Sequence, residues 1–206
     1  MLNTDSRLFL NGCRNDQYSY SSINHTKGYS NEMSFLFLVE GYKTSTLLLL
    51  ENLTDKKDTN WLKIDSQIYP VLFNFRHFIE LILKDTIRYY KLFHREINTY
   101  QIGFEKEHSL LTLWKTLLPY LIQNTTSIPC EVLNAIENII EEVESLDRNS
   151  FSFRYPFNTA DNRNKKEIVY SMPSMTINLT NLSTTIKEAI SALEGLNYKA
   201  AALYDN

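Results

Sequence analysis

Charged residues recur every four positions in the otherwise apolar segment FRHFIELILKDTIRYYKLFH, which spans residues 75–94. The residues in this register are Arg76, Glu80, Lys84 and Arg88. On an α-helix, side chains with this spacing project from nearly one line, which we call the charged stripe. It has two open interpretations. It faces solvent, with each exposed pair contributing about 0.2 to 0.5 kcal/mol, or it lies in a groove between helices, where a guanidinium binds a phosphate bidentately.

Arg88 and His94 are the candidate catalytic pair, because an arginine and a histidine together suit metal-independent cleavage of RNA. The arginine would stabilise the phosphate charge, and the histidine would exchange a proton with the attacking or leaving oxygen. Five intervening residues place the two side chains about 240° apart on an ideal helix. They converge only if the helix ends or bends between them, or if two chains pair. The alternative is that His94 is a surface histidine near a helix end.

His108 and Arg154 are further candidate binding residues, and each also has a structural interpretation. His108 lies in EKEHSLLTLW, where we expect it to start a helix and help satisfy free N–H groups. Arg154 lies in FSFRYPF, where we expect an edge-strand charge flanked by packed aromatic residues.

The composition favours one soluble helical domain. The chain has 206 residues, is 43% hydrophobic, and contains only five Gly and five Pro. The formal net charge of -3 excludes a global basic field, so any contact with RNA needs a local patch. Cys13 and Cys130 are too few for a disulfide scaffold and fit a reduced cytoplasmic protein.

Helical periodicity predicts five helices. We expect the first at 33–52 and the second at 65–97, with Pro70 in its first turn. The third starts near His108 or Ser109, and Pro119 kinks or ends it. The fourth starts at SIPCEVL, with Ser127 as a cap and an acidic, solvated face, and the last covers 179–203.

Strand periodicity appears once, before the last helix. Phe151, Phe153 and Tyr155 alternate with polar residues, and EIVYSM supplies a partner strand across NTADNRNKK. The predicted fold is therefore an all-α bundle of about five helices with a small β-hairpin near 151–172. Residues 1–30 form an irregular arm, and 31–206 form a single domain.

Several classes of protein lack support in the sequence. The start of the chain has no signal-peptide pattern, and TSTLLLLENL is too short to cross a bilayer, so we expect no membrane span. No Gly-rich phosphate loop, zinc-spaced thiol pair or nucleophile elbow occurs. We expect no metal and no cofactor.

Three segments resemble the HEPN superfamily of small helical domains from bacterial toxins, defence proteins and nucleotidyltransferase partners. They are YPVLFNFRHFIELILKDTI, the helix start HSLLTLWKTL, and FRYP. The second is similar to the HEPN HDL helix, with Ser109 in place of Asp. The resemblance covers roughly residues 33–156. Its best-matched polar residues are Arg76, His77, Glu80, His108 and Arg154.

The resemblance implies a homodimer. Many HEPN proteins are metal-independent RNases whose Arg and His, four to six residues apart, meet at the subunit interface. Arg88 and His94 satisfy that spacing, although they finish the second long helix, whereas the family pair usually follows a later turn. Other HEPN-like proteins are noncatalytic binding or antitoxin-associated modules.

Two functional hypotheses follow, and a third possibility is a purely structural bundle with neither an activity nor a partner. The first is an HEPN-like protein of a bacterial or phage conflict system that binds or cleaves RNA or nucleotides. The second is a noncatalytic module that binds a nucleotide or a protein, such as an antitoxin, through a polar groove that includes Lys84.

Overall fold

The computed structural model describes residues 31–55, 60–98, 106–124, 128–148, 150–155, 157–162 and 165–205. Within these ranges the chain forms five α-helices and one antiparallel hairpin, which confirms the predicted all-α bundle. The helices are α1 (Asn31–Thr54), α2 (Trp61–Phe93), α3 (Leu110–Asn124), α4 (Cys130–Leu146) and α5 (Leu179–Tyr204). The strands are β1 (Phe157–Asn162) and β2 (Lys165–Tyr170). The predicted arm at 1–30 lies outside the described residues.

Helix α2 is the centre of the bundle and contacts α1, α3 and α5. Its apolar face is fully buried at Phe78, Ile79 and Ile87. The helix begins earlier than predicted because the Asn60 side chain accepts hydrogen bonds from the Leu62 and Lys63 amides. It ends earlier too, since Arg95 has a φ of 57°, which no helix accommodates.

Both helix prolines lie inside their helices, so Pro70 is not where the sequence predicted it, and of the two predictions for Pro119 only a helix end is wrong. Pro70 lies inside α2, not in its first turn, because the helix begins at Trp61. Pro119 lies inside α3, which continues to Asn124. A proline removes one helical hydrogen bond, and the packing of the residues before and after it keeps each helix continuous.

The start of α3 is confirmed near the predicted residue. Ser109 Oγ accepts a hydrogen bond from the Thr112 amide at 3.2 Å, as an N-cap does. Glu144 of α4 completes this cap, because its carboxylate accepts from Ser109 Oγ at 2.7 Å and from the Leu110 amide at 3.0 Å. The acidic face of α4 is therefore not entirely solvated as predicted: Glu144 is buried, whereas Glu141 is exposed.

Helix α4 and the hairpin lie in the regions predicted for them, but the first predicted strand does not form. Helix α4 begins at Cys130, after Pro129, and the predicted cap Ser127 lies outside the described residues. The hairpin pairs Phe157 with Tyr170 and lies within the predicted region. The predicted first strand at 151–155 is wrong, because those residues form a turn.

Local hydrogen bonds explain that turn. Asp147 Oδ1 accepts from the amides of Phe151 and Ser152, at 2.5 and 2.7 Å. The Arg154 amide donates to the Phe151 carbonyl at 3.0 Å. A carboxylate that captures successive amides holds the backbone in a turn rather than in a strand. Arg154 therefore lies in a turn before β1, not on an edge strand.

Among the described residues, no helix combines the length and the hydrophobicity needed to span a bilayer.

Candidate functional site

The guanidinium of Arg76 joins three separate parts of the chain. Arg76 is fully buried, and its Nη1 donates to Glu80 Oε2 at 2.9 Å. Its Nη2 donates to the main-chain carbonyl of His108 at 2.8 Å, and its Nε donates to that of Asp147 at 2.9 Å. One side chain of α2 thus fixes the residues before α3 and the residue after α4. Because Arg76 is fully buried and each of its nitrogens has a protein acceptor, it positions the site and does not lie on the surface that a ligand would contact.

Glu80 is the second buried member of this network. Its Oε1 accepts from Lys84 Nζ at 2.8 Å and pairs with His108 Nδ1 at 3.0 Å. Burial alone would raise the pKa of Glu80, but the hydrogen bonds from Lys84 and Arg76 outweigh it and hold that pKa below its ordinary value. An ionised carboxylate only accepts, so Nδ1 of His108 carries the hydrogen. Nε2 of His108 is left to face outward on a side chain that is 63% exposed.

A surface cavity of about 430 Å³ opens beside this pair. Its volume falls in the range of small-ligand sites, about 300 to 1,000 Å³. The cavity is lined by both polar and apolar residues. Its lining residues are Leu38, Tyr42, His77, Glu80, Leu81, His108, Ser150 and Arg154.

His77 brings a second imidazole to the cavity. Its ring lies 5.1 Å from that of Tyr42 and 4.4 Å from that of Phe73, measured between ring centroids. Burial lowers the pKa of His77, and the positive charges of Arg76 and Arg154 lower it further, against an opposing effect of Glu80. His77 is therefore a neutral imidazole at pH 7.

Arg154 supplies an exposed guanidinium at the edge of the cavity. Its Nε donates to the Ser150 carbonyl at 2.6 Å, which fixes the side chain at one nitrogen. The guanidinium carbon lies 6.0 Å from the Phe73 ring centroid and 5.6 Å from that of Tyr155. Nη1 and Nη2 make no hydrogen bond to any residue that the structure describes, so both can reach a ligand.

Asp147 and Ser150 hold the turn that carries Arg154. Asp147 is fully buried, and its Oδ2 lies 3.6 Å from Arg76 Nε. Ser150 adopts a φ of 56°, a conformation that non-glycine residues seldom hold unless their surroundings impose it. Neither residue was predicted from the sequence. An aspartate directly after a helix and ahead of a Ser-Phe pair is a signal for a side-chain-capped turn, which could have identified Asp147.

The predicted charged stripe is buried, so its solvent-facing interpretation is wrong. Arg76, Glu80 and Lys84 are only 0%, 7% and 6% exposed. All six predicted binding residues lie in one region. Arg76, Glu80 and Lys84 form the buried network. His77, His108 and Arg154 line the adjacent cavity, and Glu80 belongs to both groups.

The predicted catalytic pair does not meet within one chain. Arg88 is 3% exposed, and its Nε and Nη2 donate to Asp85 Oδ1 at 3.2 and 2.9 Å. Asp85 in turn accepts from Asn197 of α5 at 3.1 Å. His94 lies past the end of α2 and contacts α3, where its Nε2 is 3.2 Å from Asn124 Nδ2. The helix does end between the two residues, as convergence required, yet their side chains face different helices. Their pairing across two chains stays a prediction.

No protein-family model, curated protein or solved structure matches this chain.

Proposed function

We propose that the protein binds the phosphate group of RNA or of a nucleotide in the cavity beside Glu80 and His108. The observation that carries this proposal is the convergence of Arg154, His77 and His108 on that cavity. A guanidinium held at one nitrogen presents its remaining donors in the fork geometry that fits phosphate oxygens. Nε2 of His108 is a further polar contact for a ligand in the same cavity.

The balance of charge around the cavity supports an anionic ligand. Arg76 and Lys84 both donate to Glu80, and Arg76 also lies beside Asp147, so these buried charges offset one another. Arg154 remains as the exposed cation among the cavity-lining residues. A chain with a formal net charge of -3 attracts nucleic acid only through such a local group.

The apolar lining of the cavity favours a ligand that carries a ring as well as a phosphate. Leu38 is 51% exposed although it is a large aliphatic residue, and it lines the cavity with Tyr42 and Leu81. Proteins that recognise unpaired nucleotides stack the bases on aromatic side chains and bind the phosphates with basic ones.

Titration of the purified protein with fluorescein-labelled single-stranded RNA and with adenosine 5′-monophosphate tests the binding function. We expect Arg154→Ala to weaken binding by about tenfold or more, the usual effect of losing hydrogen bonds to a charged group. Lys187→Ala removes an exposed positive charge from α5 and is the matched control. No binding by the wild-type protein, or equal losses in the two variants, would refute the proposal.

Metal-independent cleavage of RNA is a second candidate, favoured by the presence of two histidines at the cavity. Neutral His77 would take the proton from a 2′-hydroxyl, the 2′-oxygen would attack phosphorus, and the bond from phosphorus to the 5′-oxygen would break. His108, whose ring is held at Nδ1 by Glu80, would protonate the leaving oxygen from Nε2. The products are a 2′,3′-cyclic phosphate and a 5′-hydroxyl.

Cleavage of mixed RNA in the presence of a chelator discriminates between the assignments. Loss of cleavage in His77→Gln and His108→Gln, with retention in His94→Gln, assigns the reaction to the cavity. The opposite pattern assigns it to the predicted pair of Arg88 and His94. If the wild-type protein does not cleave RNA, binding is the only proposed function that remains.

The wider role follows the HEPN resemblance and is part of the proposal: a cytoplasmic homodimer in a bacterial or phage conflict system, with an antitoxin as a candidate protein partner. A noncatalytic protein-binding module is the alternative. Light scattering of the purified chain checks the dimer, and arrest of bacterial growth on expression checks the toxic activity.

A further inference from the structure

Ser150 combines two features that the fold alone does not require. It is only 9% exposed, and its Oγ is enclosed without a hydrogen-bond partner among the residues that the structure describes. It also holds a φ of 56°, which costs a serine more than it would cost a glycine. A buried hydroxyl without a partner and a strained backbone at the same residue indicate a role outside the packing of the core.

The surroundings of Ser150 point to the cavity as the place of that role. Ser150 is itself a lining residue of the cavity. Its carbonyl accepts from Arg154 Nε at 2.6 Å, and its amide donates to the Asp147 carbonyl at 3.4 Å. Both bonds use main-chain atoms of Ser150, so neither of them occupies the side-chain hydroxyl. The hydroxyl and the free end of the Arg154 guanidinium are thus presented by one short, anchored turn.

We infer that Ser150 and Arg154 form the phosphate subsite of the cavity, in which the Ser150 hydroxyl rotates to donate to one phosphate oxygen and Arg154 binds the others. This inference rests on the proposed binding function and deepens it. Leu38, Tyr42 and Leu81 are the apolar lining residues of the cavity, and they take the base. The ligand is oriented, with its anionic end at residues 150–154.

The enclosure of Ser150 also selects the class of ligand. Ser150 is only 9% exposed and its hydroxyl is enclosed, so a phosphate that reaches it must enter from the cavity with its least substituted end first. The phosphate bound there is therefore a terminal one, on a mononucleotide or on a phosphorylated end of RNA. This subsite serves recognition, since a terminal phosphate has no second nucleotide to release.

Calorimetric titration of Ser150→Gly with adenosine 5′-monophosphate and with adenosine tests the assignment. Glycine adopts a positive φ freely, so this variant deletes the hydroxyl and keeps the turn. We expect the affinity for adenosine 5′-monophosphate to fall about tenfold and the affinity for adenosine to stay unchanged. Ser145→Ala, which removes an exposed hydroxyl on α4, is the control for deletion of a serine side chain.

If Ser150→Gly binds adenosine 5′-monophosphate as tightly as the wild type does, the assignment of Ser150 is overturned. If Arg154→Ala nevertheless loses binding, the proposed function stands without a role for Ser150. No binding of either compound to the wild-type protein would overturn both. Short RNAs with a 5′-phosphate, a 3′-phosphate or no terminal phosphate test the ligand class. We expect one phosphorylated form to bind most tightly, and equal affinity for all three would exclude a terminal phosphate.

Discussion

Arg76 and His108 lie 32 positions apart in the sequence, and yet Nη2 of Arg76 donates to the His108 carbonyl at 2.8 Å. The same guanidinium reaches the Asp147 carbonyl, which is 71 positions away. Because His108 and the turn after Asp147 form two walls of the cavity, this single buried side chain sets the distance between them. The geometry of the candidate site therefore depends on a residue that is not among the lining residues of the cavity.

Replacement of Arg76 by Leu should destabilise the fold strongly. It leaves Glu80 without one partner and removes the Arg76 donors of the His108 and Asp147 carbonyls, so we expect the free energy of unfolding to fall by about 3 to 5 kcal/mol. Urea denaturation followed by circular dichroism measures the change. Lys187→Leu, at an exposed position of α5, is the control and should change it by less than about 0.5 kcal/mol. A mild effect of Arg76→Leu would mean that the network does not hold the walls together.

Glu144→Ala should remove the cap of α3. The substitution leaves Ser109 Oγ and the Leu110 amide without their acceptor, so we expect a loss of about 2 kcal/mol in the free energy of unfolding. Glu141→Ala, on the exposed face of the same helix, is matched in charge and should be neutral within about 0.5 kcal/mol. If the two variants unfold at the same urea concentration, Glu144 does not cap the helix.

His77 should make the protein less stable in weak acid. Its pKa in the folded state lies below the ordinary value of 6.5, so the unfolded chain binds a proton more readily as the pH falls below about 6.5. We expect the free energy of unfolding to fall between pH 7.5 and pH 5.5, and we expect His77→Phe to reduce that fall. His94→Gln tests whether replacing any histidine has this effect. An identical pH dependence in His77→Phe and the wild type contradicts the prediction.

Glu80 should act in a lower pH window. Its pKa in the folded state is depressed, so its contribution to stability is complete above the ordinary value of 4.5 and is lost as the pH falls through the folded value. Glu80→Gln should therefore be less stable than the wild type at pH 7, with the difference shrinking below about pH 4.5. Urea titrations at pH 7 and at pH 3.5 measure it. A difference that is constant across this range would show that the charge of Glu80 is not what stabilises the network.

Arg88 should contribute to the stability of the fold, as measured by the free energy of unfolding of its variants. Arg88→Leu leaves the buried Asp85 without its cation, and we expect a loss of about 3 to 5 kcal/mol. The double variant Asp85→Asn with Arg88→Leu removes both charges and should recover much of that loss, because an asparagine can still accept from Asn197. Additive losses in the double variant would argue against the buried pair. Loss of RNA cleavage in an Arg88 variant therefore needs a folding control before it identifies a catalytic residue.

The sequence by itself determined the helices and the residues that could do chemistry. Apolar residues at helical spacing predicted α2 and α5 to within a few residues, because that spacing reflects which side of a helix the core covers. The six predicted binding residues were also identified from the sequence, through their residue types and the HEPN resemblance. The pattern could not tell whether the charged stripe was solvated, since charges at helical spacing look the same on an exposed face and in a groove.

Only the tertiary structure decided where those side chains meet. The burial of Arg76 depends on acceptors that come from His108 and Asp147, and no local pattern contains that information. Pro70 and Pro119 lie inside helices because packing outweighs a local preference to break them. Ser150 became a candidate residue through its backbone angle and its enclosed hydroxyl. Both features exist only once the turn after α4 is folded against α2.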